Sequence, residues 1–96
     1  MDLQSASSAM AALGHTARLD IFRRLVVAGP GGLTVGEISD ATGIPLSTLF
    51  HHLSHLERAD LVEKRRQGRE THCVPNFTVI RNLSSFLLED CCRGAA

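Results

Sequence analysis

Leu3, Ala6, Met10 and Leu13 recur at spacings of three, four and three, which predicts a short amphipathic helix over residues 2–13 closed by Gly14. Leu19, Phe22, Leu25 and Val26 then form one apolar stripe from about residue 16 to 28, and the run Gly29-Pro30-Gly31-Gly32 breaks it. Thr34, with Glu37 three residues on, has the form of a capping box opening a third helix. In that helix Ile38 and Ala41 are expected inward, and Gly43 ends it. Pro45 and Ser47 open a fourth helix, 46–58, with Leu46, Leu49, Leu53 and Leu56 on one face. Its other face carries Ser47, Thr48, His51, Ser54 and His55.

Two strand-like runs follow on either side of Gln67-Gly68, a polar turn suited to a hairpin. Asn76 caps a last helix, expected over about 77–92. Ile80, Leu83, Leu87 and Cys91 fall on one side of it, and Val79, Phe86 and Cys92 nearer the other. The expected fold is mainly α with a β-hairpin: a single domain, 1–96, with a helix–turn–helix over about 34–58 and a hairpin "wing" over about 61–75.

Ninety-six residues bury only about 60–65% of the unfolded surface, so a partner copy would add stability. No window approaches the roughly 20 apolar residues of a membrane span. The start, MDLQSASSAM, has an acid and no basic segment, unlike a secretory signal. Three cysteines is an odd number for a disulfide framework, which points to a reducing cytoplasm. For an enzyme, no Gly-rich or pocket-forming architecture and no third residue orienting a Cys–His pair can be read, so none is expected.

Net charge is zero, and what matters is its distribution. Lys64, Arg65, Arg66 and Arg69 outnumber Glu63 and Glu70 around the hairpin turn, while Thr34–Asp60 is acidic apart from Arg58 and three histidines. DNA affinity would therefore come from a small basic patch and a helix terminus, not from a general field. Ser47 and Thr48 stand at the start of the fourth helix, where small donors suit base edges or a phosphate. His51, His52 and His55 would reach bases or backbone further along. The basic hairpin suits phosphates or a minor groove.

The segments ALGHTARLDIFRRLV and GLTVGEISDATGIPLSTLFHHLSHLERADLVEKRRQGRETHCV, with the last helix, resemble the ArsR/SmtB family of winged-helix repressors over about Ala12–Cys92. The resemblance implies a homodimer joined through the first and last helices, bound to double-stranded operator DNA and released by a ligand. Asp60 stands where the family usually has Gly, and Asp tolerates the left-handed turn better than most residues. Thr16 stands where the family more often has Pro and is expected to cap the second helix instead.

The family's cysteine site in the first helix of the helix–turn–helix is missing here, and the last helix lacks the His of the family's zinc site. Cys91 and Cys92 resemble the cysteine pair of arsenic-responsive members, with Cys73 as a candidate third sulfur. The implied effector is trivalent arsenic, as arsenite with three sulfurs or methylarsenite with two, bound by soft thiolates. A frayed helix end lets both sulfurs reach one atom, because neighbouring helical residues point about 100° apart. Arg93 is expected to lower the thiol pKa values slightly. The competing readings are a thiol redox sensor for the pair and a small core residue for Cys73. His51 and His55 have a metal-like spacing of four, but DNA contact accounts for them better.

Overall fold

A computed structural model describes residues 1–95. Five helices, α1 (Leu3–Leu13), α2 (Thr16–Ala28), α3 (Val35–Thr42), α4 (Leu46–Arg58) and α5 (Phe77–Leu88), surround a three-stranded antiparallel sheet. Its strands are β1 (Leu33–Thr34), β2 (Val62–Gln67) and β3 (Glu70–Pro75), in the order β1-β3-β2. β1, absent from the sequence pattern, exists through pairing alone: Leu33 faces Cys73 and Thr34 faces His72.

Local signals set most helix ends. Thr34 and Glu37 form the reciprocal capping box, with bonds of 2.9 and 3.1 Å, and Asn76 caps α5 through the Val79 amide. Thr16 does not cap α2. His15 does, its Nδ1 accepting the Ala17 N–H at 3.1 Å, because His15 is the last residue still in extended backbone. Asp60 takes the left-handed conformation, φ 60°, after α4. The hairpin turn lies at Gly68-Arg69, one residue later than expected. Gln67 pairs with Glu70 and Gly68 supplies φ 64°, so the left-handed requirement falls on the glycine.

The core is aliphatic. Ile21, Phe22 and Leu25 of α2 meet Ile38 of α3, Leu49, Leu53 and Leu56 of α4, Leu61, and Cys73 of β3. The α1 face buried in this core is Ala6, Ala9 and Ala12, small residues that bring α1 close; Leu3 and Met10 point to solvent instead. Ala41, Leu19, Leu46 and Leu87 are likewise exposed, contrary to the inward positions read from their periodicity.

α5 stops at Leu88, one turn short of the expected 92. The chain then turns through left-handed Asp90 (φ 59°) and Cys92 (φ 69°), so neither Cys91 nor Cys92 has a helix face. Only Leu83 of α5 is buried. The Cα radius of gyration, 14.9 Å, exceeds the about 12.5 Å of a compact chain this long. The hairpin is tied at its root: the Leu61 amide donates to the Leu56 carbonyl (3.0 Å), and the Leu61 carbonyl accepts from the Asn76 amide (2.8 Å).

Candidate nucleic-acid interface

α4 buries Leu49, Leu53 and Leu56 and thereby turns Ser47, Thr48, His51, Ser54 and Arg58 outward. His55 lies half-buried at the edge of this face. The Pro45 cap makes no side-chain bond to the helix, so the first-turn amides beside Ser47 and Thr48 remain open to an anion. Phe50, about half exposed, and Leu46, which the periodicity had placed inward, add an apolar strip. Such a strip suits the methyl of thymine, the apolar feature of the major groove.

His52 is not on this face. It is buried, with its ring 4.7 Å from that of His15. A helical wheel separates His52 from Leu56 by only about 40°, so the spacing carried the signal and the polar residue type masked it. His52 therefore drops out of the residues able to meet DNA. Burial, then the neighbouring charges of His15, Arg18, His51 and His55, lowers its pKa. Burial and Arg18 likewise lower that of His55.

The wing presents the second half of the surface. Lys64, Arg65, Arg66 and Arg69 are all exposed, and their alternation along the hairpin spreads them over two faces. Lys64 leans back toward α4, 3.3 Å from Glu57 and 5.8 Å from the centre of the Phe50 ring, which ties the wing root to the helix. Arg65 pairs with Glu63 at 2.8 Å, and Arg66 is held by the Gly68 carbonyl at 3.1 Å. Both keep their remaining guanidinium donors for a phosphate.

The three cysteines are not brought together. Cys73 is fully buried in the central strand, and burial raises its thiol pKa. Cys91 and Cys92 are exposed at the far end of α5, their sulfurs 2.7 Å apart. Among the described residues no group of three or more His, Cys, Asp or Glu is arranged to hold a metal ion. The Cys91 pKa is raised, first by the hydrogen bond shared with Cys92. Arg93 pairs with Asp90 at 3.2 Å, and the shift at Cys91 runs upward, against the lowering expected there.

His72 and Gly31 show where sequence order hid a contact. The His72 Nδ1–H donates to the Gly31 carbonyl (3.0 Å), fixing the Gly29–Gly32 loop on the sheet. No helix among the described residues is long and apolar enough to cross a membrane.

Residues 13–65 match the family described as helix-turn-helix domain. No curated protein matches the chain in sequence. Among solved structures, an ArsR-like transcriptional regulator from Rhodococcus sp. RHA1 superposes with a TM-score of 0.78 at 21% identity, covering 88% of this chain and 76% of that one. A homodimeric winged helix-turn-helix DNA-binding domain from Mycobacterium bovis, a possible ArsR-family regulator, superposes with 0.74 at 29% identity, covering 90% and 78%. HlyU from Vibrio cholerae gives 0.71 at 25% identity, covering 96% and 99%. With its paired α3–α4 helices, basic wing and flanking α1 and α5, this chain belongs to the helix-turn-helix domain family, as a winged DNA-binding transcriptional regulator of the ArsR type.

Proposed function

We propose that the chain is a cytoplasmic, dimeric repressor that leaves its operator when a trivalent arsenical binds the Cys91 and Cys92 thiolates. The observation that carries this reading is the exposed, adjacent thiol pair just past the end of α5. Two thiols that lose their protons to a trivalent arsenical form two As–S bonds and displace two hydroxyls as water. Cys73 is buried elsewhere in the same chain, which favours a two-sulfur site and hence methylarsenite over arsenite.

Dimerisation through α1 and α5 is supported by Leu3, Met10, Leu87 and Leu88, large apolar residues left exposed on those two helices. The homodimeric Mycobacterium bovis relative supports it further. Arsenic ligation at the tail would alter what α5 meets across that interface, and release follows if the liganded state binds DNA less well. Ser47, Thr48, His51 and His55 of α4, with Lys64, Arg65, Arg66 and Arg69 of the wing, would hold the DNA.

Fluorescence anisotropy on the gene's own upstream DNA, under reductant, tests the reading. Methylarsenite is expected to release the wild-type protein and Cys73→Ala alike, and to leave Cys91→Ser and Cys92→Ser bound. Release that persists without the pair would sink the assignment. The 2.7 Å sulfur contact also favours a redox reading. In that case peroxide, itself reduced to water, would oxidise the pair and release DNA while arsenicals would not.

A further inference from the structure

Ala11 and Ala12 of α1, with Ala59 just past α4, leave an open cleft of about 430 Å³ between α1, the start of α2 and the end of α4. Three basic side chains line it: Arg18 of α2, and His55 and Arg58 of α4. Each arginine spends its Nε–H on a backbone carbonyl, Arg18 on Ala12 at 2.6 Å and Arg58 on Ser54 at 3.3 Å. Those bonds fix the stems and leave the terminal nitrogens of both forks to a ligand. Among the described residues no carboxylate pairs with either guanidinium. The composition does not force this, since the chain has 10 acidic residues for 10 basic ones. Glu57, beside Arg58, turns to Lys64 at 3.3 Å instead, and Asp60 is exposed without an ion pair.

Basic groups gathered without a counter-charge repel one another, and an anion among them removes that cost. Burial, then Arg18 and Arg58, with His51 and His15 beyond, lower the His55 pKa, and no carboxylate opposes them.

We infer that this cleft binds a small organic phosphate, a phosphate monoester carrying an apolar group, at a site separate from the cysteine pair. A dianion matches the charge of two arginines. The three free oxygens of its head meet three donor groups, whereas a carboxylate would offer two. The alanine side of the cleft receives the apolar group. Once the dianion cancels the repulsion at His55, that ring takes a proton from solvent and donates to the head. The place of the cleft favours a small molecule over a DNA phosphate. Arg58 stands about 16 Å along α4 from Ser47, and the facing wall is α1. Nothing in this site depends on the arsenical reading.

The test is calorimetric titration of the free, reduced protein with phenyl phosphate at about pH 7.5, where a phosphate monoester is a dianion. One ligand per chain is expected, bound roughly tenfold tighter than inorganic phosphate or benzoate. Equal affinity for benzoate overturns the phosphate head, and equal affinity for inorganic phosphate overturns the apolar group. The His55 ring resonances should titrate at higher pH with phenyl phosphate bound; an unmoved His55 overturns the site. Arg18→Gln and Arg58→Gln should each weaken binding roughly tenfold or more. Ala11→Leu, which fills the cleft without changing charge, should do the same. Arg58 and Ala11 are exposed, so their variants should keep the circular dichroism of the parent. They decide the matter if Arg18→Gln, which also loses the Ala12 bond, folds poorly. Binding indifferent to these substitutions overturns the cleft. On operator DNA, the slope of log K against log salt should be unchanged in both arginine variants. A fall of about one in either makes a backbone phosphate the occupant and overturns the small molecule.

Discussion

The ring of His52 packs 4.7 Å from the ring of His15, and its Nδ1 is buried without a hydrogen-bond partner. Burial and the surrounding His15, Arg18, His51 and His55 hold its pKa below the ordinary 6.5. The unfolded chain therefore binds this proton more readily than the folded one. Stability from the neutral ring is complete above about pH 6.5 and is lost as pH falls through the lower folded value. Thermal unfolding should show a Tm that drops between pH 7 and pH 5, and His52→Phe should flatten that slope. An unchanged slope in the variant would place the titrating group elsewhere.

Thr34 and Glu37 satisfy two amides at the start of α3. Thr34→Ala is expected to cost about 1 kcal/mol. In a chain of this size that lowers Tm by about 4–8 °C, readable by urea or thermal denaturation. Glu37→Gln keeps the reciprocal geometry and is expected to cost less. Equal losses in the two variants would mean that charge, not the cap, holds this end.

Gly32 sits at φ 65° with its α-carbon against β3. A methyl there would run into the Cys73 carbonyl oxygen and Val74, and the backbone on both sides is fixed by pairing. Gly32→Ala is expected to destabilise by roughly 3 kcal/mol or more, enough to leave little folded protein. Gly31→Ala, with open space around it, should be nearly neutral. Comparable soluble yields of the two variants would contradict the close approach.

Arg66 and Arg69 flank the turn of the wing, both exposed. Each, replaced by Ala, should reduce the slope of log K against log salt by roughly one if it meets a phosphate, with the fold intact. Affinity should fall about equally on operator and random DNA. A loss confined to the operator would instead mean base reading by the wing.

The helices were legible because their signals are local: the Thr34–Glu37 box, the Asn76 cap and the leucines of α4 are each read within one or two turns. β1 was not, since Leu33–Thr34 is a strand only by virtue of Cys73 and His72, some forty positions away. The end of α5 was not, because residues 77–92 contain no Gly or Pro to stop a helix, and the stop falls on Glu89 and a left-handed Asp90. Leu3, Met10 and Leu46 show the limit of periodicity. An apolar stripe reports that something covers it, without saying whether that is the same chain, a second copy or a nucleic acid. The basic wing was visible as composition, whereas the depth of Cys73 and His52 required the packing.

Leu61 binds the Leu56 carbonyl at the end of α4 and receives the Asn76 amide at the start of α5, so the two helices share one pivot. From that pivot α5 runs 12 residues, about 18 Å, to Leu88. A lever of that length converts an ångström of travel at its cysteine end into only about 3° at the root. Moving two sulfurs that stand 2.7 Å apart to the span of an arsenic dithiolate supplies less travel than that. A message sent from the tail therefore cannot arrive at α4 as tilt. On the proposed reading it would pass sideways, as a change in the seal between the last helices of two subunits.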